Sequence, residues 1–203
     1  MDVKKYHHGD LKNALIQAGI EVLTHEGLAG LSLRKVAKQA GVSHAAPYAH
    51  FTDKQAIIAA ISTEGYRKLY QCLSDAIDKA KGNPHKQLIE TAWAYIQFAR
   101  QESGCFKIMF SGVLEQEKDY PEFVEVSQRT FALVVDIVKA CQKAKILREE
   151  TPQLLGVVIW GQVHGVISLI FLGQIPHMVL DRYPMREMLI RTMNQLTLVN
   201  YSE

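Results

Sequence analysis

Residue types suited to binding a phosphate backbone are concentrated between Leu31 and Phe51, in the run LSLRKVAKQAGVSHAAPYAHF. The run predicts two short helices joined by Gly41-Val42-Ser43, and a three-residue turn with glycine is typical of a helix-turn-helix. Gly41 permits the left-handed backbone that ends the first helix, and Ser43 is expected to cap the second. The second helix then offers free N–H groups and a positive dipole end to a phosphate. The spacing therefore indicates a DNA-binding element.

The second helix of this element is predicted to run through about Ala49 and to expose His44, Ala45, Tyr48 and Ala49. Such a helix enters the major groove by its first residues.

The charge is distributed unevenly along the chain. Residues 1–54 hold seven Lys and Arg against five Asp and Glu, and five of the eight histidines, whereas the rest of the chain has equal numbers of basic and acidic residues. A basic N-terminal quarter favours a nucleic-acid partner, although the excess is small.

Metal and redox chemistry find little support in the sequence. Cys72, Cys105 and Cys141 are odd in number and far apart, which argues against a disulfide framework or a zinc module. Cys105 is expected to be a plain buried or half-buried thiol, because a redox sensor needs an electropositive, accessible setting. The pair His7-His8 lacks a third ligand, so an N-terminal arm near DNA is favoured over a metal site. We predict neither a metal nor a cofactor.

Catalytic motifs are missing from the sequence as well. It has no G-x-S-x-G, no glycine-rich phosphate loop and no H-E-x-x-H. The acids Glu115, Glu117 and Asp119 fall in a stretch predicted to be a solvated loop. We therefore expect a protein that is not an enzyme, and enzymatic activity stays open only through an unrecognised site in the C-terminal part.

Helical periodicity of the apolar residues extends along the chain, and no alternating run bounded by turn signals predicts a strand. The first helix is expected to be capped by Asp10 and to end near Gly27, and the second to be capped by Ser32. Thr52 and Gln55 form a T-x-x-Q capping box, which predicts the start of a long fourth helix. The N-terminal part therefore has the helix order of a three-helix DNA-binding domain.

Further helices follow a cap at Asn83 with Pro84 in the first helical position. The last three are predicted at 121–146, 152–172 and 184–199. A chain of 203 residues that is 48% hydrophobic is long and apolar enough to bury a core, which excludes disorder. We predict an all-α fold with a helix-turn-helix domain at 1–54 and a helical-bundle effector and dimerisation domain at 55–203.

One segment, Leu154–Gly173, has no charged residue over about 20 positions, the length that a membrane span requires. Gln162, His164 and Ser168 interrupt it, and no basic residue closely flanks either end to set an orientation. A helix buried against a partner is the favoured interpretation. The polar N-terminus has no secretory signal, so we expect a cytoplasmic protein with no membrane partner.

Four short motifs carry a resemblance to a known family. The run S-L-R-K-V-A-K-Q-A-G-V-S at 32–43, followed by Y-A-H-F-T-D-K-Q at 48–55, resembles the TetR/AcrR family of bacterial transcriptional regulators. The opening Y-H-H-G-D-L at 6–11 and W-G-x-x-H-G at 160–165 resemble the branch whose C-terminal domain is named for its W-H-G residues. The resemblance implies a homodimer with a DNA-reading domain in front and a larger helical domain that dimerises and binds an effector.

The resemblance also implies roles for individual residues. Tyr48 and Lys54 would contact the DNA backbone, Ser43 and His44 would lie at the helix mouth, and Phe51 would be core. Further phosphate contacts are expected from Lys4, Lys5 and Arg34. The predicted DNA-binding set is Arg34, Ser43, His44, Ala45, Pro47, Tyr48, His50 and Lys54.

The reading face departs from the family pattern. Ala45 stands where the family often has glycine, and Ala49 where a longer polar side chain is frequent. Pro47 removes an internal N–H of the helix, which is tolerated in the first turn. Alanine offers no hydrogen bond to a base edge, although its methyl group can touch a thymine methyl. A small-molecule binding protein with a degenerate DNA-reading helix is therefore the alternative function.

Large apolar side chains of the C-terminal part are candidates for an effector pocket. Pockets with an apolar lining and a few polar groups often lie between helices, although any one of these residues is more often core. The predicted pocket set is Trp93, Phe98, Phe106, Phe110, Phe131, Trp160 and His164. The function predicted is a ligand-responsive regulator, most simply a repressor that a small, mainly apolar molecule releases from operator DNA.

Overall fold

The computed structural model of this chain describes residues 8–202, with side chains from Leu11 onward. The contacts expected of Lys4, Lys5 and His7 lie outside these residues. Helices occupy most of the described range: α1 His8–Gly30, α2 Leu33–Gln39, α3 Lys54–Lys79, α4 Pro84–Gln101, α5 Ser103–Met109, α6 Pro121–Lys143, α7 Pro152–Phe171, α8 His177–Leu180 and α9 Met185–Met193. Two short 3-10 helices lie at Ala46–Ala49 and Glu117–Asp119. No β-strand occurs within residues 8–202, so the predicted all-α class is confirmed.

The chain forms two compact units. Unit 1 consists of the residues up to Arg67 together with Glu102–Ser127, and unit 2 consists of Lys68–Gln101 with the residues from Gln128 onward. The division falls within α3 and within α6, so each of these helices begins in unit 1 and ends in unit 2. Helix α5 belongs to the same unit as the N-terminal helices. The domain boundary predicted after Lys54 stays a prediction.

Unit 1 is stabilised by hydrocarbon side chains that its helices bury together. The side chains that are 0% exposed are Leu15, Val36, Ala37, Ile57 and Ile61. Two glycines allow α5 to pack closely in this unit. A Cβ atom at Gly104 of α5 would collide with Thr24 of α1, and one at Gly65 of α3 would collide with Cys105 of α5. Helix α5 is therefore fixed against both α1 and α3.

Helix α3 begins one residue later than its predicted cap implies. The Oδ1 atom of Asp53 accepts a hydrogen bond from the backbone N–H of Ala56 at 2.9 Å, so Asp53 caps the helix. The predicted capping box of Thr52 and Gln55 is wrong. Thr52 donates to the Asp53 carboxylate at 3.3 Å instead, because that carboxylate lies nearer to the free N–H groups of the first turn.

Two other predicted helix starts and one predicted helix end are confirmed. The Oγ atom of Ser32 accepts from Lys35 N at 3.2 Å, and Oδ1 of Asn83 accepts from Lys86 N at 3.0 Å. Helix α1 begins at His8, ahead of the predicted cap Asp10, and its helical path breaks at Gly27, where φ is 67°. These signals depend on neighbouring residues only, which is why sequence suffices to find them.

Unit 2 has its own apolar core between α4, α6, α7 and α9. The side chains with 1% exposure or less include Ile89, Ile96, Val138, Leu155, Ile167 and Met193. Polar contacts join the helices at its edges. The guanidinium of Arg186 on α9 pairs with the carboxylate of Glu90 on α4 at 2.8 Å, and Nε2 of Gln162 donates to Thr192 O at 2.5 Å.

The end of the chain differs from the prediction. Helix α9 spans Met185–Met193 and is shorter than the predicted 184–199, and α8 was not predicted. Leu147 and Thr197 form a single antiparallel bridge, and Leu198 N donates to Ile146 O at 2.7 Å. A non-local backbone partner therefore replaces the helical hydrogen bonds that the periodicity predicted for the last turns.

We expect Asp53→Ala to lower the free energy of unfolding by about 1 kcal/mol, because it removes the side-chain cap of α3. Urea unfolding followed by circular dichroism would measure this loss. The matched control is Thr52→Ala, which should cost clearly less. A larger loss for the threonine variant would restore the predicted capping box and contradict the assignment of Asp53.

Candidate functional site

The helix-turn-helix geometry is present between α2 and the residues that follow it. Gly41 has φ of 68°, the left-handed conformation that glycine adopts without steric cost. Val42 N donates to Ala37 O at 3.0 Å, which closes the end of α2. Phe51 is 3% exposed, as the prediction of a core position requires. The turn therefore directs the chain out of α2 and into residues 43–50, which we call the recognition segment.

The recognition segment is not the α-helix that the sequence predicts. It is a turn followed by the 3-10 helix Ala46–Ala49, and it has no side-chain cap. Ala46 N donates to the carbonyl of Ser43 at 3.0 Å, so Ser43 contributes its backbone and not its hydroxyl. Pro47 lies in the first turn and has no N–H to give to an α-helical ladder. The predicted cap at Ser43 is corrected accordingly.

Most of the predicted DNA-contacting residues are at the surface. Ser43, His44, Ala45 and Ala49 are exposed, and Tyr48 is 62% exposed, which is high for an aromatic side chain. Pro47 is buried, so its ring packs inside unit 1.

His50 is half-buried, and its Nε2 atom has no hydrogen-bond partner among the described residues. Its ring lies 6.3 Å from the ring of Phe51. The segment therefore presents a small, partly apolar surface with one tyrosine and one exposed histidine.

Basic side chains are frequent in α2 and at the start of α3, the elements that flank this segment in the chain. Four bases and one acid lie between Leu33 and Lys54. Lys35 pairs with Glu26, whereas the exposed Arg34 and Lys38 have no ion-pair partner among residues 8–202. Two cationic side chains next to the recognition segment are therefore available to a phosphate.

Lys54 is exposed, and its Nζ atom donates to the carbonyl of Leu28 at 2.9 Å. The ammonium group lies at the C-terminal end of α1, where it also stabilises the negative end of the helix dipole. Its three N–H donors allow a second partner at the same time.

A side chain missed by the sequence analysis joins α3 to the loop after α5. The Nε2 atom of Gln55 donates to Val113 O at 3.1 Å, and its Oε1 atom accepts from Glu115 N at 3.1 Å. The amide thus satisfies both a carbonyl and an N–H of that loop. Because this partner lies 58 residues away in sequence, only the tertiary structure reveals it.

Aromatic side chains of unit 1 form one cluster. The ring of Tyr66 lies 5.9 Å from Phe110 and 5.6 Å from Phe123, and Phe106 lies 4.8 Å from Phe110. Burial, with a smaller contribution from the charge of Glu117, raises the pKa of Tyr66 to about 12. Two residues of the predicted effector set, Phe106 and Phe110, therefore lie in the same unit as the recognition segment.

The other aromatic cluster lies in unit 2 and is held by hydrogen bonds. The indole N–H of Trp160 donates to the Tyr95 hydroxyl at 3.2 Å, and that hydroxyl lies 2.7 Å from Nδ1 of His164. The ring of Phe131 lies 6.2 Å from Trp160. Burial lowers the pKa of His164 from 6.5, which favours the neutral imidazole that can accept from Tyr95.

A small cavity adjoins this cluster. Its volume is about 40 Å³, and it is lined by Leu73, Leu88, Thr91, Ala92, Tyr95, Val134, Ile159, Trp160 and Val163. Of the predicted pocket set, Trp160 is the member that lines it. Thr91 was not predicted, because a single threonine among apolar helix positions gives no signal in the sequence.

The remaining predicted pocket residues lie elsewhere in unit 2. Phe98 is 2% exposed. Both Trp93 and Phe98 line an open groove of about 490 Å³ that also contains Cys72, Glu90 and Lys86. The guanidinium of Arg186 lies 5.4 Å from the Trp93 ring. Residues 8–202 contain no group of three or more His, Cys, Asp or Glu side chains that could hold a metal ion.

Comparison with known families agrees with this geometry. The family described as "Bacterial regulatory proteins, tetR family" matches residues 15–61, which include the helix-turn-helix. The family described as "Tetracyclin repressor-like, C-terminal domain" matches residues 88–193, more than half of the chain. The chain belongs to the TetR family. It is thus a TetR-family transcriptional regulator, and the W-G-x-x-H-G residues at 160–165 lie within the second match.

One relative is similar to this chain over about half of its length. An uncharacterized HTH-type transcriptional regulator of Bacillus subtilis (strain 168), YobS, is 28% identical over 99 residues. That match covers 49% of this chain and 51% of the relative, so it spans about half of each protein.

Two solved structures are similar to this chain over more than nine-tenths of its length. A protein of unknown function from Rhodococcus sp. RHA1 superimposes with a TM-score of 0.77 at 28% identity and covers 95% of each chain. The fatty acid degradation regulator FadR from Bacillus halodurans gives a TM-score of 0.71 at 17% identity, covering 94% of this chain and 96% of that one. The latter likeness shows the TetR fold alone.

We expect the thermal midpoint of this TetR-family protein to fall as the pH decreases from 7.5 through 6.5 toward 5. The pKa of His164 is lower in the folded state, so the unfolded chain takes up the proton more readily and acid favours unfolding. The His164→Gln variant should lose less stability over this pH range. Thermal unfolding at half-unit pH steps would measure the difference.

His85 provides a second, independent test, because burial lowers its pKa in the same direction at a separate place in unit 2. The His85→Gln variant should also flatten the profile, and the double variant should flatten it further. A His164→Gln profile parallel to that of the parent protein would contradict the assignment.

Proposed function

We propose that the chain is a ligand-responsive repressor that binds operator DNA as a homodimer and is released by a small, mainly apolar molecule bound in unit 2. The observation that supports the DNA-binding part is the largely exposed recognition segment, together with the exposed Arg34 and Lys38 of α2, which have no ion-pair partner in the described part of the chain. A helix-turn-helix uses its second element to reach base edges and its flanking cations to hold phosphates. DNA binding of this kind requires no metal, nucleophile or acid–base pair. It would take place in the cytoplasm, where the DNA lies.

The roles proposed for the individual side chains are those that the family resemblance implies. Tyr48 and Lys54 would contact phosphates, and His44 would lie closest to the base edges. The alanines of the segment would allow close approach to thymine methyl groups and few hydrogen bonds. Specificity would therefore depend partly on DNA shape, which proteins read through phosphate contacts and groove width.

A second copy of the chain is the proposed partner of α7. One stripe of this helix is apolar and largely exposed. Its exposed members are Leu154, Val157, Val158, Gly161 and Leu169, with Leu172 directly after the helix, and Gly165 on the same stripe is half-buried. A Cβ atom at Gly161 or Gly165 would meet nothing within 4 Å, so packing inside the chain does not require these glycines. Glycines four apart on an apolar stripe would let a second helix approach closely.

Lipid is the other conceivable cover for that stripe. Helix α7 is long and apolar enough to span a membrane by length and composition, and 28% of the span is buried. Its polar side chains, however, have partners inside unit 2: Gln162 donates to Thr192 O, and His164 contacts the Tyr95 hydroxyl. These contacts favour a helix of a globular dimer.

Release from DNA would be a population shift. An effector that binds more tightly to the protein off DNA favours recognition segments whose spacing no longer matches successive major grooves, about 34–36 Å apart. Reciprocity requires operator DNA to weaken effector binding by the same factor.

Fluorescence anisotropy tests the operator step. It compares a labelled duplex from the region upstream of the protein's own gene with a random duplex across a salt series. Equal affinity for both duplexes would favour the alternative, a small-molecule binding protein with a degenerate reading helix.

We expect Lys54→Ala to weaken binding to preferred and random duplexes alike and to reduce the slope of log affinity against log salt by about one unit. The reason is the loss of one phosphate contact. Lys145→Ala is the charge-matched control, because Lys145 is exposed in unit 2 and paired with Glu149 at 2.9 Å. An unchanged salt slope for the Lys54 variant would remove this residue from the interface.

We expect Val157→Asp to weaken self-association by about a hundredfold or more, because it would bury an unpaired carboxylate in the dimer. Sedimentation at micromolar protein would then show a monomer. Ala132→Asp on α6, also at an exposed position, should leave the dimer intact. A parent protein that sediments as a monomer, or that partitions into membranes, would overturn the proposed interface.

A further inference from the structure

We propose that Gln55 is a positioning residue for DNA binding, because its amide joins the first turn of α3, which carries Lys54, to the loop between α5 and α6. This α5–α6 loop comprises residues 110–120. The inference rests on the proposed DNA-binding function, since it names a side chain that holds a DNA-contacting residue in place. The roles that the family resemblance implies include Lys54 but not Gln55.

Both ends of the Gln55 amide are bound by the α5–α6 loop. Nε2 donates to Val113 O at 3.1 Å, and Oε1 accepts from Glu115 N at 3.1 Å. An amide held at both ends keeps one orientation, because turning it over would set its N–H group against the Glu115 N–H and its oxygen against the Val113 carbonyl. The two hydrogen bonds therefore fix the loop on the first turn of α3.

The backbone of the loop depends on this side chain. Residues 113–116 lie outside any helix or strand, so they lack the regular hydrogen-bond partners that secondary structure supplies. Val113 N has a local partner, since it donates to the Oγ atom of Ser111 at 3.4 Å. The Val113 carbonyl and the Glu115 N–H are bound instead by Gln55, which lies 58 and 60 residues away in sequence.

Contacts at the two ends of the loop indicate how far it extends along α3. The rings of Phe110, at its start, and Phe123, just after its end, lie 5.9 and 5.6 Å from the ring of Tyr66. Gln55 precedes Tyr66 by 11 residues, which is about 16 Å along a helix. The loop therefore leaves α3 near Tyr66, reaches the first turn at Gln55, and returns.

The returning part of the loop also lies close to the first turn. Burial, followed by the charges of Asp53 and Asp119, raises the pKa of Tyr120. Asp53 is the residue that caps α3, so its carboxylate lies near enough to Tyr120 to act on the phenol. Residues on both sides of the loop tip thus lie beside the start of α3.

The first turn of α3 is the part of this helix that the DNA interface needs. It follows the recognition segment after the buried Phe51, and it carries the Lys54 ammonium that is proposed to bind a phosphate. Lys54 Nζ also donates to Leu28 O at 2.9 Å, but this bond uses the group that would face the DNA. Gln55 holds the same turn through groups that need not touch DNA. Loss of its bonds would let the turn move and weaken the phosphate contact without removing it.

The experiment compares the full chain with Gln55→Met, whose side chain has a similar length and makes neither hydrogen bond. We expect about three- to tenfold weaker binding of the labelled upstream duplex, the effect of losing one or two hydrogen bonds. The slope of log affinity against log salt should stay unchanged, because no phosphate contact is lost, whereas Lys54→Ala should reduce it. Gln87→Met is the matched control. Gln87 Nε2 donates to Ile77 O at 3.1 Å in unit 2, so this variant should leave DNA affinity unchanged.

Hydrogen exchange followed by mass spectrometry tests the two bonds themselves. Peptides from residues 111–120 should exchange faster in Gln55→Met, since the Glu115 N–H loses its acceptor, and peptides from α9 should not change. Thermal unfolding of the same variant separates positioning from folding. An affinity that falls only in proportion to the unfolded fraction would show a structural role alone and would overturn the inference.

A change on the loop side gives a second test. Glu115→Pro removes the N–H that donates to Gln55, and Glu115→Ala is its control because it removes the charge and keeps the N–H. Glu115→Pro should bind the upstream duplex more weakly than Glu115→Ala. With Gln55→Met already present, the two Glu115 variants should bind equally, because the bond they test is gone. An undiminished difference between them would mean that the two residues act independently, contrary to the proposal.

The proposed function and this inference fail in different ways. A parent protein that binds the upstream duplex no better than random DNA would overturn operator recognition, and the role of Gln55 would fall with it. Specific binding by the parent, with Gln55→Met equally tight or with a reduced salt slope, would overturn the positioning role alone and leave operator recognition standing.

Discussion

Burial of the apolar stripe along α3 is the constraint on which the rest of the structure depends. Ile57 and Ile61, from its first half, are completely buried in unit 1, and Leu69 and Leu73, from its second half, are 2% exposed in unit 2. One amphipathic helix therefore supplies core residues to both units. Because interiors are close-packed, a change in the face that α3 buries would disturb the packing of each unit.

Within unit 1, close packing and backbone geometry matter more for DNA binding than any single reactive group. Gly41 sets the direction of the turn, Pro47 keeps the recognition segment short, and the buried Phe51 anchors the chain after it. The glycines of the α3 and α5 contacts hold α5 in the same unit. The recognition segment, which is made largely of small side chains, thus depends on a closely packed base for its position.

Within unit 2, the disposition of a few polar atoms in an apolar interior matters most. Trp160, Tyr95 and His164 satisfy one another through hydrogen bonds, which fixes the indole beside the cavity. Thr91 is buried in the same unit, and its Oγ1 atom has no hydrogen-bond partner among residues 8–202.

The sequence by itself determined the all-α class, the turn at Gly41, the caps at Ser32 and Asn83, and membership of the TetR family. These features depend on residues close together in the chain, where spacing and backbone preference leave few alternatives. Tertiary structure decided the rest. It chose Asp53 over Thr52 as the cap of α3, gave Gln55 to a distant loop, and ended α9 early in favour of the bridge between Leu147 and Thr197. It also placed Phe106 and Phe110 in unit 1 and Trp160 in unit 2. Hydrogen bonds and packing between distant segments compete on nearly equal terms, and only the folded chain selects among them.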